Sequence, residues 1–191
     1  MTGLEKLPNK TTPLAENWRV WYTDENKKAK TYEDRIHDLG SFASVEEMWA
    51  WLGSLKSPAE LPVSTDYHIF KEGIMPMWEH DQNRSGGKWI LRIKKLFTAR
   101  LWESLVLAIV GRGAFTDAED LSNDVCGIVV SVRHGEDSIS VWHKSGRNFA
   151  LRTELVKRIK HALELPEDTH LDYKTHDAAL MLHNANKQQH D

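Results

Sequence analysis

Two segments near the middle of the chain alternate apolar and polar residues and are joined by only four residues. They are CGIVVSVR (126–133) and SISVWHK (138–144), and the connection is HGED. Such alternation is typical of strands with one covered and one open face, and so short a connection predicts a hairpin. The apolar face of the pair consists of Ile128, Val130, Val132, Ile139 and Val141. A chain with this hairpin must build a sheet that is covered on one side.

Further strands and three helical segments flank this hairpin. The predicted strands are 18–24, 31–43, 66–70, 88–95 and 170–176, and the predicted helices are 44–55, 98–113 and 147–165. The first helix opens with Ser44 and Glu47 in capping-box spacing, whereas the acidic segment 117–124 is predicted to be a loop. Strands and helices in this order favour an α+β fold with a mainly antiparallel sheet and helices on one face.

The length of 191 residues allows one domain with a full hydrophobic core. We place this domain at 16–176, between a flexible N-terminal arm (1–15) and a C-terminal tail (177–191). No apolar run approaches the ~20 residues of a membrane span, and the first residues lack a signal-peptide pattern. The lone Cys126 suits a reducing compartment, so we expect a cytoplasmic protein.

Charge and aromatic content narrow the choice of partners. The formal net charge is −3 and the pI is about 6.4, whereas domains that bind long phosphate backbones usually have a pI above ~9. Eight tryptophans are several times the usual share, so a single base or a chain terminus is a better target than a duplex. The ten histidines show no zinc-site spacing, and His176, His183 and His190 lie too far apart to bind one metal. We expect neither a metal nor a cofactor.

One large aromatic residue falls on the polar side of the predicted strands. On segment 88–94 the apolar side carries Trp89, Leu91 and Ile93, and the opposite side carries Lys88, Ile90, Arg92 and Lys94. This opposite side of the sheet would also present Arg133, Trp142 and Lys144. An indole there exposes a large apolar area unless something covers it. Trp142 therefore packs under a loop, lies on a strand whose register is shifted by one residue, or faces a ligand.

A Trp-Glu pair lies just before the basic strand. The segment MPMWEHDQNRSGGKWILRIKK (75–95) places Trp78 and Glu79 in a polar loop. A flat cationic ligand that also carries negative charge would suit an aromatic ring beside a carboxylate and a basic strand. Alternatively, Trp78 anchors the loop and Glu79 is only solvated. Neither residue alone decides between these interpretations.

Taken together, six stretches resemble the eukaryotic translation initiation factor 4E family, the messenger-RNA cap-binding proteins. They are NWRVWY (17–22), FASVEEMWAW (42–51), FKEGIMPMWEHDQNRSGGKWILRI (70–93), LWESLVLAIVG (101–111), DVCGIVVSVR (124–133) and SISVWHK (138–144). The resemblance extends from about residue 12 to residue 176. It is closest to the class II branch, the 4E-homologous proteins, because Tyr32 stands where initiation-type members usually have Trp.

The resemblance implies a curved antiparallel sheet with three helices on its convex face and a cap-binding pocket on its concave side. In that pocket Tyr32 and Trp78 would sandwich the 7-methylguanine base. Glu79 would accept hydrogen bonds from the guanine N1–H and amine, and Trp142 would lie beside the methyl group. The residues implied to bind the triphosphate are Arg133, Lys88 and Arg92.

Two departures from initiation-type members predict weaker cap binding. Ser138 stands where those members have a Lys, so one phosphate contact would be missing. Tyr32 also offers a smaller stacking surface than Trp. We therefore expect a lower cap affinity than that of initiation-type factors.

The resemblance also implies a partner-binding surface on the helices. Family members bind there proteins that carry a short Tyr-x-x-x-x-Leu-apolar helix, and the matching positions are Pro13, Val45, Trp49, Glu103 and Leu107. Val45, Trp49 and Leu107 lie in helical stripes that would equally suit core positions. Thr12 and the Glu103-Ser104 pair depart from the initiation-type pattern. The surface could therefore bind class II partners that repress translation.

We therefore predict a monomeric binding protein, not an enzyme, that binds capped messenger RNA and regulates translation. A class II repressor is the first hypothesis, and an initiation factor that recruits a scaffold protein is the alternative. A rival hypothesis is an interaction subunit whose cap pocket has decayed, but intact Trp78, Glu79, Trp142 and Arg133 argue against it. A second rival is a cap-processing hydrolase, whose only candidate metal-binding cluster is the acidic segment 117–124.

Overall fold

In the computed structural model, which describes residues 11–25 and 31–177, seven strands form one curved antiparallel sheet. The strands are β1 (Pro13–Thr23), β2 (Ile36–Ser44), β3 (Thr65–Lys71), β4 (Gly87–Ile93), β5 (Val125–Val132), β6 (Asp137–His143) and β7 (Asp172–Thr175). Their spatial order is β2-β1-β3-β5-β6-β4-β7, and every neighbouring pair is antiparallel. The predicted α+β fold with a single antiparallel sheet is confirmed.

Four α-helices occur in the same two described ranges. They are α1 (Val45–Ser54), α2 (Lys95–Val110), α3 (Glu119–Asp124) and α4 (Phe149–Ala162), and short 3-10 turns occur at Glu33–Arg35, Pro58–Glu60 and Gly113–Phe115. The predicted N-cap of α1 is confirmed, because the Ser44 side chain accepts a hydrogen bond from the Glu47 N–H. Within residues 11–25 and 31–177, no helix is long and apolar enough to cross a bilayer.

The main core lies between the helices and one face of the sheet. Strand residues such as Val20, Ile69 and Ile128 pack there against Leu105 and Leu155 of the helices. The hairpin alternation is confirmed, since Ile128, Val130, Ile139 and Val141 all belong to this core. The opposite side, which we call the open face, carries a second and smaller apolar cluster composed of Phe70, Ile74, Cys126, Val129 and Trp142.

Several element boundaries differ from the predictions. β1 begins at Pro13 instead of residue 18, so residues 13–15 of the predicted arm belong to a strand. Pro13 pairs with Ser44, and Thr12 donates two hydrogen bonds to the Glu46 carboxylate. These contacts are with residues about thirty positions away, and local sequence does not reveal them. Residues 1–10 and 178–191, which include His183 and His190, lie outside the described residues.

The prediction that segment 117–124 is a loop is wrong for residues 119–124. Residues Glu119–Asp124 form α3, which buries Leu121, Ser122 and Asp124. A six-residue helix gains little from intrinsic propensity and depends on tertiary packing. Its packing also removes the segment as a candidate metal cluster, because the Asp124 carboxylate is hydrogen-bonded to His143 at 2.9 Å.

A buried polar chain fixes β7 to the rest of the sheet. The other ring nitrogen of His143, Nε2, lies 3.0 Å from the Tyr173 hydroxyl, and the His143 side chain is fully buried. Tyr173 in turn packs against Trp89, with 4.8 Å between the ring centroids. The register of β7 against β4 is thus fixed from the covered face, which determines the side chains that β7 presents on the open face.

Candidate functional site

A cavity of about 210 Å³ lies on the open face of the sheet. Its base is formed by β3, β4, β5 and β6, and its sides are formed by the turn at residue 32 and the loop 72–86. Six of the seven predicted cap-binding residues line it: Tyr32, Trp78, Glu79, Lys88, Arg133 and Trp142. The structure therefore brings together residues that are up to 110 positions apart in the sequence.

Trp142 forms the base of the cavity. Its side chain lies on the open face, as the predicted register requires, but it is only 5% exposed. The rings of Phe70 and His176 pack against it at centroid distances of 5.4 Å and 4.3 Å. Phe70 fits there because residue 127 is glycine, since a Cβ at that position would lie 2.4 Å from the Phe70 ring. A register shifted by one residue is therefore wrong, because Trp142 lies on the open face, where Phe70 and His176 cover it and where it lines the cavity.

Tyr32 and Trp78 both line the cavity. Tyr32 precedes the 3-10 turn Glu33–Arg35 and is 37% exposed. Burial of its hydroxyl, with a smaller contribution from the Asp66 charge, raises the pKa of Tyr32 to about 12. The hydroxyl therefore stays protonated and neutral at physiological pH.

The loop that carries Trp78 is fastened by a buried amide. The Asn83 side chain is fully buried, and its Nδ2 donates to the backbone carbonyls of Met75 and Met77 at 2.8 Å and 2.7 Å. These two bonds close the loop on either side of Pro76 and set the position of Trp78. Asn83 cannot be singled out from the sequence, because nothing distinguishes it from the other polar residues of the loop.

Glu79 faces the solvent-accessible part of the cavity and not the interior. Its side chain is exposed, and one carboxylate oxygen accepts a short hydrogen bond from the Trp78 indole N–H. The Glu79 charge also contributes to the raised pKa of Tyr32, after burial and Asp66. The carboxylate thus lies near both rings, where it is available to a donor edge of a flat ligand.

Arg133 is held at the rim by a network of acceptors. Its guanidinium donates to Asp66 at 2.8 Å and to the Val132 carbonyl at 2.9 Å. Its backbone N–H donates to the buried carboxylate of Asp137, which is also paired with Lys95 at 2.7 Å. The hairpin connection is therefore rigidly attached to α2. About half of the Arg133 side chain remains exposed and can contact a ligand.

Lys88 lies against the base of the cavity. Its ammonium group is 4.9 Å from the centroid of the Trp142 ring, which is a cation–π distance. Burial, followed by repulsion from Lys174, lowers the pKa of Lys88 to about 8. The amine is still mostly protonated at pH 7, but it is poorly neutralised by its surroundings.

Arg92 is the one predicted cap-binding residue that does not line the cavity. It lies on the same face, where β4–β6 pairing sets it opposite Ser138, a residue of the rim. Its guanidinium is turned toward β7 and pairs with Asp172 at 3.3 Å. The predicted strand face is confirmed, but a ligand would have to compete with Asp172 for this guanidinium.

Two titratable residues of the cavity were missed, and the alternation of β3 could have identified both. Asp66 and His68 share the open face with Phe70, whereas Tyr67 and Ile69 belong to the core. His68 is 3% exposed, and its Nε2 lies 2.8 Å from the Thr23 hydroxyl. Burial lowers the pKa of His68 to about 4, so the ring is neutral at physiological pH. Asp66 is the counter-ion of Arg133.

Four of the five predicted partner-binding residues lie on α1 and α2, whereas Pro13 begins β1, and only Trp49 and Glu103 line one groove. Trp49 is 48% exposed, so it is not a core residue, and it lines a groove of about 300 Å³ together with Trp102 and Glu103. We call this depression the Trp49 groove. Leu107 is 36% exposed one turn further along α2, Pro13 is exposed, and Val45 is half-buried.

No metal centre is found in the ranges 11–25 and 31–177, since these contain no cluster of three or more His, Cys, Asp or Glu side chains suited to hold an ion. Of the three histidines His176, His183 and His190, the structure describes only His176, which is buried against Trp142. The site is instead built from rings, one exposed carboxylate and cations, which suits binding of a flat, charged ligand.

Comparison with known proteins connects this arrangement to a family. Residues 13–191 match the family model described as eukaryotic initiation factor 4E. The chain is 45% identical over 170 residues to the eukaryotic translation initiation factor NCBP of Oryza sativa subsp. japonica, covering 88% of this chain and 73% of that protein. It is 41% identical over 170 residues to the NCBP of Arabidopsis thaliana, covering 88% and 75%.

Solved structures give the same result for the fold. The chain is similar to C. elegans eIF4E-3 in a complex with the 4E-binding protein Mextli and cap analog, with a TM-score of 0.84 and 30% identity over 90% of this chain and 96% of that one. It is also similar to Ascaris suum eIF4E-3 in a complex with the m2,2,7G cap, with a TM-score of 0.80 and 30% identity over 87% and 92%.

Proposed function

The chain belongs to the eukaryotic initiation factor 4E family, and from this premise we propose that it binds the 7-methylguanosine cap of messenger RNA and regulates translation. The observation that carries the proposal is that Tyr32, Trp78 and Glu79 line one cavity together with the cations Lys88 and Arg133. The complexes of the C. elegans and Ascaris proteins with cap analog and cap support it.

The two rings would hold the methylated base by stacking. Methylation at N7 gives guanine a delocalised positive charge, and such a ring is attracted to the electron-rich faces of Tyr32 and Trp78. Stacking contributes about 1–3 kcal/mol per base, and the cationic charge adds about 1–2 kcal/mol when it is desolvated. The neutral Tyr32 hydroxyl leaves the phenol ring uncharged in this role.

Glu79 would accept hydrogen bonds from the donor edge of the base. The indole N–H of Trp78 fixes its carboxylate near the ring, where a stacked guanine presents N1–H and its exocyclic amine side by side. Hydrogen bonds to a charged acceptor contribute about 1.5–3 kcal/mol. Because N7 methylation also makes N1–H a better donor, one chemical change strengthens both the stack and the hydrogen bonds. The site would therefore discriminate against unmethylated guanosine.

The cations at the rim would bind the phosphates, but with reduced strength. Arg133 shares its charge with Asp66, and Arg92 is occupied by Asp172. Ser138 lines the cavity without a charge at the position where initiation-type members carry a Lys. These features, with the smaller ring of Tyr32, support a weaker cap affinity than that of initiation-type factors.

The Trp49 groove would bind the partner protein. A half-exposed Trp beside Trp102 and Glu103 is the kind of aromatic anchor that interfaces favour, and a Tyr-x-x-x-x-Leu-apolar helix is the proposed occupant. The C. elegans relative solved with a 4E-binding protein supports such a surface. We propose that the chain acts in the cytoplasm as a monomeric class II repressor. Recruitment of a scaffold protein for initiation is the second candidate, since it would use the same groove.

Retention on a cap-analogue resin tests the proposal. The wild type and Trp49→Ala should be retained and eluted by free 7-methylguanosine triphosphate, whereas Trp78→Ala should flow through. Trp49→Ala is a matched control because it removes an indole from the opposite side of the molecule. Failure of the wild type to be retained would overturn the proposal. Identification of the partner that Trp49→Ala loses from a pull-down then distinguishes a repressor complex from a scaffold protein.

A further inference from the structure

An unusual pair of like charges lies beside the cavity on the open face. The pairing of β4 with β7 sets Lys88 directly opposite Lys174. Directly opposed residues of an antiparallel pair point to the same face, with Cβ atoms about 4.5–5.5 Å apart. The neighbouring pair confirms the register, because Trp89 and Tyr173 pack together on the covered face.

This pair has no carboxylate partner within residues 11–25 and 31–177. The acids nearby on the open face are already used, since Asp66 pairs with Arg133 and Asp172 pairs with Arg92 and His170. Like charges directly opposite each other destabilise a sheet. Two opposed ammonium groups without a counter-ion therefore form a place where an anion would relieve repulsion.

The two lysines lie at different depths, so that one extended anion could contact both. Lys88 is held within the cavity by its contact with Trp142, whereas Lys174 is exposed just outside it on the edge strand. An anion that leaves the cavity along this edge would meet Lys88 first and Lys174 second. A polyphosphate attached to a base stacked between Tyr32 and Trp78 has the required negative charge and length.

We propose that Lys174 is a phosphate-binding residue, which forms with Lys88 an anion subsite for the polyphosphate of the ligand. This inference rests on the proposed function, since the base in the cavity is what brings the polyphosphate to the pair. The subsite also provides cationic charge on β7, whereas Ser138, opposite Arg92, supplies none on β6. The phosphates would therefore be bound nearer to the edge strand β7 than to β6.

The protonation of Lys88 supports the assignment. Apart from Lys174, the charged or titratable groups that face Lys88 are Asp66, Arg133, His68 and His176. Burial, followed by Lys174, lowers the pKa of Lys88 to about 8, and only Asp66 opposes this. A bound phosphate would raise this pKa again. Binding at pH 8 should therefore take up protons from the buffer.

The experiment compares Lys174→Gln with the wild type and with Lys157→Gln, which removes an exposed lysine from α4. Quenching of tryptophan fluorescence measures the affinity for 7-methylguanosine and for its mono-, di- and triphosphates. Lys174→Gln should bind the triphosphate roughly threefold to tenfold more weakly, should bind the phosphate-free nucleoside normally, and should show a smaller dependence on salt. Lys157→Gln should match the wild type throughout.

Calorimetry in two buffers of different ionisation enthalpy provides a second measurement. At pH 8 the wild type should take up protons when it binds the triphosphate, and Lys174→Gln should take up fewer because its Lys88 is already more protonated. Equal affinity of Lys174→Gln and wild type for the triphosphate, or an equal loss for the phosphate-free nucleoside, would overturn the inference. If the wild type binds none of these ligands, the proposed function itself fails, so the two failures are distinguishable.

Discussion

The imidazole of His176 packs on the indole of Trp142, with 4.3 Å between the ring centroids and 45° between their planes. Nδ1 of the same imidazole donates to the Asn83 carbonyl at 2.7 Å. His176 follows directly after β7, Trp142 forms the base of the cavity, and Asn83 belongs to the loop that carries Trp78. One buried ring therefore connects the edge strand, the base and the loop of the proposed cap site.

Replacement of His176 should weaken cap binding even though His176 does not line the cavity. His176→Ala removes a buried ring and a hydrogen bond, so we expect a loss of about 2 kcal/mol in the free energy of unfolding. Because Trp142 loses its packing, cap affinity should also fall several-fold. Denaturant unfolding and cap titration measure the two effects, and His170→Ala, at an exposed histidine, is the control. Unchanged stability would contradict the structural role of this ring.

The amide of Asn83 should be needed for the position of Trp78. Asn83→Ala removes the side-chain donor from the Met75 and Met77 carbonyls, which then keep only the backbone N–H of Met77 and of His80, and each lost hydrogen bond costs about 0.5–1.5 kcal/mol. We expect lower stability and weaker cap binding, with faster amide exchange confined to the loop. Gln82→Ala, at the adjacent exposed position, should behave as the wild type. Normal exchange and affinity in Asn83→Ala would contradict this account of the loop.

Mild acid should destabilise the folded protein. Burial lowers the pKa of both His68 and His176 to about 4, below the ordinary value of 6.5. The unfolded chain therefore binds protons that the folded chain does not, and the stability that these rings contribute is complete above pH 6.5 and is lost as the pH falls toward 4. The loss between pH 7 and pH 5 should be about 2 kcal/mol per ring.

Urea unfolding at several pH values measures this effect. His68→Gln should show a shallower decrease between pH 7 and pH 5, because one of the two buried titrating rings is absent. The same slope in wild type and variant would show that His68 does not carry the acid sensitivity.

Tyr32→Trp tests the assignment of the second ring. A larger aromatic surface should tighten cap binding, and Tyr32→Ala should weaken it by about 1–3 kcal/mol. Cap titration of the three proteins provides the comparison. If Tyr32→Trp binds the cap no more tightly than the wild type does, Tyr32 is not a stacking residue.

The sheet and the sides of its strands could be predicted because they depend on local alternation. Trp142 was assigned to the open face from its parity with Ser140 and Ser138, and the structure places it there. The same parity in β3 would have identified His68. The cap-binding residues carried over from the family resemblance, apart from Arg92, line one cavity.

Features that depend on distant partners could not be predicted. The start of β1 at Pro13 depends on its pairing with Ser44, and α3 depends on the burial of Leu121. The opposition of Lys174 and Lys88 arises from the register between β4 and β7, which are about eighty residues apart. Nothing in the residues around Lys174 indicates this neighbour, so only the folded sheet reveals the pair.

The central claim is that a methylated, positively charged guanine lies between Tyr32 and Trp78 with its edge against Glu79. The most direct test is to titrate the wild type and Glu79→Gln with 7-methylguanosine triphosphate and with guanosine triphosphate. The wild type should bind the methylated nucleotide at least about tenfold more tightly, a difference of about 1.4 kcal/mol or more, and Glu79→Gln should lose much of its affinity for that nucleotide. Equal affinity of the wild type for the two nucleotides would contradict the claim.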